Sequence, residues 1–499
     1  MVTAGGMLLQ QVLGFVGGVF VAKLLGPADY GQVSVLRSLL QMIIVFTPLG
    51  LDLALFRILP KFDHQPAIQA LYFRRFRLIV LVFGLALVPI TSLVAGPLLA
   101  RHVYAYDHFA FYLALTMFAI PFATDVLLMT AWYRVQGDII PILLITNYFQ
   151  PVVRTVLNVL AVYWGFGVFG VVVGTTAAYL ASFLLAVPYY QWTMRTGMHT
   201  GMHTGMHTGM HREHRDRAAT VPSWRSTWDL FREAPPMAVN MFAYTLMRTA
   251  DITIVGAIVP ARDVGEYAVV SNIAQLVPIA ALSLIQTLGP KIARLHQAGD
   301  RTGIARELNS TIRWACLLSS FVFGGIAGFG THLDAVFGHA YHPGQIIVIL
   351  IPLGYLASGT IAPTSYALTM GGRTGTDLFC LAVSCIVLVA TCIPLTWLLG
   401  TLGAAVAVLI GFTTISAMRF YYLRQELGAW LGSWADLLPP VVALGLAMGI
   451  NHVLLPAKAT LPALFGACLV YTAAYVALML RRPAAMMLTR LRARKRPAA

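Results

Sequence analysis

From Leu78 to Leu99 the chain runs for 22 residues without one charged side chain, and comparable apolar runs recur from end to end. A helix rises about 1.5 Å per residue, so a run of about 20 residues matches the roughly 30 Å of a bilayer's hydrocarbon. Inside that layer no water satisfies backbone N–H and C=O groups, which leaves helices and closed barrels as the spanning structures. The runs lack the ten-residue alternation of barrel strands, so they read as helices. Composition agrees: 58% of residues are hydrophobic and 11% charged, against about 25% charged in a soluble domain. The chain therefore reads as an all-α polytopic membrane protein.

Fourteen spans are expected, over 5–25, 31–56, 78–99, 109–133, 139–163, 166–191, 237–259, 265–289, 312–330, 345–369, 378–399, 402–423, 437–456 and 460–480. The net charge of +15 could suggest a nucleic-acid partner. Its distribution argues against one, because the basic residues gather in short loops between apolar runs. Counted by loop, 27 Lys and Arg fall on one side and four on the other (Lys23, Arg101, Arg262 and Lys458). Such asymmetry sets orientation and places both termini in the cytoplasm. The first run begins almost at Met1 and is expected to remain as an uncleaved anchor. The five cysteines lie in or beside apolar segments without a CxxC pair, and so read as unpaired core thiols.

Residues 22–42, AKLLGPADYGQVSVLRSLLQM, resemble residues 256–276, GAIVPARDVGEYAVVSNIAQL. At an offset of 234, Asp29 aligns with Asp263, Gly31 with Gly265, Val35 with Val269 and Gln41 with Gln275. Each copy sits at the turn between the first two helices of a six-helix set, which suggests a duplication. Six spans per copy make the halves parallel, as in transporters that rock two bundles around a midplane site. The organisation expected is an N-terminal bundle (1–193), a cytoplasmic linker (194–236), a C-terminal bundle (237–425), an extra helix pair (426–482) and a basic tail (483–499). Within the linker stands TGMHTGMHTGMHTGMH. Glycine at every fourth position disfavours a helix, so the tract reads as low-complexity linker in preference to a histidine metal site.

Some polar residues fall inside the runs, where each charge costs about 2.5–3.5 kcal/mol on insertion scales. They are Arg37, Arg154 and Arg248, with Asp52, Asp125 and Asp251. Such residues must face a partner or a wet cavity. Arg248 and Asp251 stand three apart and could neutralise each other. Three arginines would also suit a phosphate-bearing head group, since guanidinium grips phosphate bidentately. Gln41, Asn147, Gln150, Asn240 and Gln275 could add hydrogen bonds to sugars. Prolines such as Pro48, Pro89, Pro141 and Pro151 should bend their helices. The histidines of the opposite-side loops, His102, His108, His332, His339 and His342, read as surface residues before a metal or pH site. No GxxxxGK[ST] occurs, no HExxH, and no loop large enough for an extramembrane enzyme domain. No cofactor and no metal are expected.

The run AKLLGPADYGQVSVLRSLLQMIIVFTPLGLDLALFRILPKF resembles the opening of the polysaccharide biosynthesis, or oligosaccharide flippase, family. The matching residues are Ala22, Lys23, Leu25, Gly26, Pro27, Tyr30 and Gly31, then Gly50, Leu51, Ala54, Leu55 and Arg57; Asp251, Gly265, Tyr267 and Ala268 match in the second half. That family is related to the multidrug and toxic-compound exporters and the lipid II flippases. The resemblance implies twelve to fourteen helices in two bundles around a V-shaped cavity. It also implies movement of undecaprenyl-diphosphate-linked oligosaccharide between leaflets, for exopolysaccharide, capsule or O-antigen, with a polymerase and other assembly proteins as partners besides membrane lipid. Cavity arginines hold the diphosphate in such proteins, a role that Arg37, Arg154 and Arg248 would take here. The alternatives are a drug or cation antiporter on the same scaffold and a membrane-embedded polymerase or transferase.

Overall fold

The structure, a computed structural model, describes residues 2–62, 65–138, 140–196, 223–232, 234–279, 284, 288, 291, 292, 294–428, 438–456 and 459–494. The TGMH tract beyond its first residue, Thr196, and the last five residues of the basic tail lie outside them. The described residues form helices joined by short turns: α1 (Val2–Leu25), α2 (Pro27–Phe46), α3 (Leu51–Ile58), α4 (Pro66–Pro89), α5 (Gly96–His102), α6 (Phe109–Met117), α7 (Ile120–Val135), α8 (Gln150–Tyr163), α9 (Gly167–Thr196), α10 (Trp224–Phe231), α11 (Pro235–Ile258), α12 (Ala261–Ala274), α13 (Arg301–Phe329), α14 (Gln345–Met370), α15 (Thr374–Leu399), α16 (Thr401–Leu427), α17 (Leu438–Leu454) and α18 (Leu461–Arg494). Eleven helical stretches among the described residues are long and apolar enough to cross a membrane, and Gln10–Leu25 and Leu438–Leu454 are shorter apolar helices. Of the fourteen expected spans, the eighth, over 265–289, runs partly through residues outside those described.

Prolines shape several spans as their chemistry requires. A ring without an N–H frees a carbonyl one turn back, and the helix widens or breaks. Wide π-type turns follow Pro89, over Ile90–Ala95, and lie between Pro141 and Pro151, over Leu143–Phe149. Between α2 and α3 the chain leaves the helix at Pro48, with Leu49 and Gly50 both at positive φ. A side chain on Gly50 would strike the backbone of Ala234 and Ala238 at the start of α11, so the motif glycine is a point of backbone-to-backbone approach.

The chain packs as two compact units. The first comprises Met1–Ala268 and Leu381–Ala404, and the second Val269–Cys380 and Ala405–Ala499. In the first unit a core of Phe73, Phe76, Trp132, Tyr133 and Tyr190 joins α4, α7 and α9, with Leu51, Leu55 and Ile58 of α3 packed on it. Phe73 and Trp132 bring their ring centroids to 4.6 Å. Helix α11 lies along α2.

At the Pro27 end of α2 the two copies of the sequence repeat meet. A Cβ on Gly31 would collide with the Ala261 carbonyl, and one on Gly265 with the Pro27 carbonyl. At the offset of 234, Pro27 corresponds to Ala261 and Gly31 to Gly265, so each copy's glycine rests on the other copy's equivalent turn. The 103–108 loop straps this junction. Tyr104 donates to the Thr253 carbonyl at 3.1 Å, Tyr106 to the Gly256 carbonyl at 2.8 Å, and Gln32 Nε2 to the Asp107 carbonyl at 2.9 Å.

In the second unit the extra helix pair docks on α13. Gly324 and Gly328 of α13 face Ala443 and Ala447 of α17, a small-residue seam that lets membrane helices approach closely. Tyr471 and Tyr475 of α18 donate to the Phe321 and Leu317 carbonyls at 2.8 and 2.9 Å. Apolar side chains such as Leu93, Val441 and Val453 stand exposed on the helices, as lipid-facing surfaces require. All five cysteines are free, as expected.

Candidate functional site

Arg37 is the eleventh of the 20 residues of α2. Val35, Leu36 and Ser38 beside it are buried, whereas Arg37 is exposed, and so is Gln41 one turn further on. At i and i+4 the pair lies on one face of the helix. Arg154 lies in α8, just after the wide turn between Pro141 and Pro151. It bonds to Tyr179 of α9 and feels the charge of Arg37. Its Nη2 reaches α1, 3.8 Å from where a Cβ on Gly14 would stand. Arg154 is partly buried.

Among the described residues no carboxylate pairs with Arg37 or Arg154. Neither guanidinium group therefore has a counter-charge from those residues. Arg248, midway along α11, is partly buried, with its guanidinium 5.8 Å from the centre of the Tyr244 ring. Asp251, one turn on, is buried and accepts the Tyr267 hydroxyl at 3.0 Å. Asn240 lies partly exposed near the start of the same helix. Arg37, Gln41, Arg154, Asn240, Arg248 and Asp251 thus all belong to the first unit, on α2, α8 and α11. Gln275 lies in the turn after α12, in the second unit.

The remaining acidic candidates are engaged. Asp52 of α3 faces the charge of Arg134 at the end of α7. Asp125 of α7 is 1% exposed and receives two bonds from Arg77 of α4, Nε to Oδ1 at 2.5 Å and Nη2 to Oδ2 at 2.7 Å. Arg77 is one of the 27 basic residues counted by loop, and the structure places it within a helix instead. Helix α4 starts at Pro66, twelve residues before the uncharged run at Leu78, so Arg77 lies well inside it. A second buried pair was not foreseen: Arg419 Nε meets Asp377 Oδ1 at 2.8 Å in the second unit, where Ser365 also donates to Asp377 at 2.9 Å. Arg419 is another of the 27 residues counted by loop, and it too lies within a helix. The excess of basic residues could not show which of them turn inward.

Elsewhere in the second unit an open cavity of about 500 Å³ is lined by Thr331, His332, Gln345, Asn451 and His452, with His332 and Asn451 at 2.8 Å. It contains none of the arginines. Among the described residues, no group of three His, Cys, Asp or Glu side chains could hold a metal ion.

The family model described as polysaccharide biosynthesis protein matches residues 1–296. A probable multidrug resistance protein NorM from Deinococcus radiodurans is 28% identical over 251 residues, 47% of this chain and 54% of that protein. The chain therefore spans about half the length of this curated relative. Among solved structures, the lipid II flippase MurJ in an inward closed conformation superimposes with a TM-score of 0.72 at 13% identity, over 97% of this chain and all of that one. An inward-facing multidrug resistance MATE family transporter of the MOP superfamily gives 0.67 at 13% identity, over 84% and 94%. At that identity these likenesses establish the fold. Those two solved structures are a flippase and a transporter.

Proposed function

The chain belongs to the polysaccharide biosynthesis protein family, and on that premise we propose that it carries undecaprenyl-diphosphate-linked oligosaccharide across the bacterial inner membrane. The product would feed exopolysaccharide, capsule or O-antigen assembly, with a polymerase acting after it. The observation that carries this reading is that Arg37 and Arg154 lie on apolar spans with no paired carboxylate among the described residues. Like charges repel, Arg154 feels the charge of Arg37, and each arginine within a span costs about 2.5–3.5 kcal/mol to insert. A bound diphosphate offsets both terms, because its oxygens accept the bidentate bonds that guanidinium donates.

Tyr179 fixes the Arg154 fork, Arg248 adds a third cation, and Gln41 and Asn240 meet sugar hydroxyls. The prenyl tail stays in lipid, which avoids exposing its apolar surface to a wet hollow. The halves, 1–193 and 237–425, rock to alternate access. The strapped Pro27 end of α2 faces the outside, and both termini lie in the cytoplasm. No covalent bond is made or broken.

In cells lacking the native protein, Arg37→Ala and Arg154→Ala should insert normally, fail to restore polymer, and leave lipid-linked oligosaccharide on the inner leaflet. Normal export by both variants would end the diphosphate reading. The NorM likeness supports a second reading, export of drugs. It requires that loss of the protein raise drug sensitivity while polymer output is unchanged.

A further inference from the structure

Helix α10, eight residues long, plays no part in the transport reading. At roughly 100° per residue it divides into three faces. Thr227 and Leu230 point to the protein, and Leu230 and Phe231 pack on the core of the first unit. Trp224 and Trp228, one turn apart, are 48% and 49% exposed. Arg225, Asp229 and Arg232 occupy the next flank and are exposed as well.

The helix is pinned to α4 at a definite level. Arg75 donates to the Ser223 carbonyl at 3.1 Å and to Thr227 Oγ1 at 2.9 Å, and it lies 4.7 Å from the centre of the Trp224 ring. Tyr72 donates to Ser226 Oγ at 3.1 Å. The continuous stretch Pro66–His102 has 37 residues, about 55 Å against roughly 30 Å of hydrocarbon, so its ends project into the headgroup layers. Its uncharged run begins at Leu78, which puts Arg74, Arg75 and the attached α10 just outside the hydrocarbon. Four residues after Phe231 the chain enters the membrane again as α11.

We propose that α10 is a membrane-surface helix: it seats Trp224 and Trp228 among the headgroups beside α4 and turns Arg225 and Arg232 toward anionic phospholipid. Trp side chains favour this layer because an apolar ring and a polar N–H are both accommodated there. The three faces of α10, protein, ring and charge, match the three neighbours such a helix has: bundle, lipid and water.

The test uses the full chain reconstituted in phosphatidylglycerol vesicles with and without brominated acyl chains. The emission lost on changing Trp224→Phe and Trp228→Phe together isolates these two rings from the other tryptophans. That difference signal should fall in brominated lipid and resist aqueous iodide, as rings seated in the interface do. In vesicles mixing phosphatidylglycerol with phosphatidylcholine, Arg225→Gln and Arg232→Gln should each lower the preference for brominated phosphatidylglycerol, by about fivefold at most. If the paired variant does not fold, each single Trp→Phe variant is read in the same way. A difference signal quenched by iodide and untouched by bromine overturns the proposal. So does a signal shielded from both quenchers, which would mark a protein partner or an internal contact.

Discussion

Replacing Arg77 by alanine should be among the most damaging single changes in the first unit. Asp125 is almost wholly buried, and Arg77 caps both of its oxygens in the parallel two-bond geometry that makes guanidinium–carboxylate pairs strong. Truncation leaves a carboxylate sealed between α4 and α7 without its main partner. Breaking one side of a buried pair costs about 3–5 kcal/mol. The side chain of Arg77 retains 22% exposure, which admits some water and puts the expected loss near the lower figure. Removing both charges, as Arg77→Met with Asp125→Leu, should recover most of it, since an apolar pair of similar bulk is often neutral or better. A thiol-reactive dye followed during heating reports the outcome, because Cys316, Cys380, Cys385 and Cys392 are buried until the helices separate. A single variant that melts with the parent, or a double variant no better than the single, would refute the reasoning.

Three further outcomes are expected. Gly31→Leu and Gly265→Leu should each cost about 1–3 kcal/mol by overpacking and should match each other closely, because both collide with a carbonyl of the facing turn; the same thermal assay compares them. Tyr106→Phe removes one hydrogen bond to Gly256, about 1 kcal/mol, and should speed labelling of a cysteine placed at residue 32. Asp300 caps α13 through Gly303 and Thr302, and those bonds hold its carboxyl below the usual range; the stability lost in Asp300→Ala should therefore be present at neutral pH and vanish as acid protonates Asp300 in the parent, which melts at two pH values would show.

The membrane fold was legible because lipid is a severe filter: a run such as Leu78–Leu99 has few other ways to exist. Arg37 and Arg154 were legible for the same reason, as charges where charge is costly. What escaped was pairing. Arg77 was taken for a loop residue because α4 begins before its uncharged run does, and nothing linear joins residue 77 to 125 or 377 to 419. Helix α10 was hidden by its polar surroundings and its shortness. The repeat announced equivalence between Gly31 and Gly265, but an alignment of two segments carries no hint that they touch.

That touching bears on how the duplication has aged. Where a glycine of one copy is moulded to a carbonyl of the other, neither residue can drift alone, and a bulky replacement on either side meets the same obstacle. The ancestral likeness should fade first along faces that look only at lipid and persist longest at the crossing, where each half serves as the other's template.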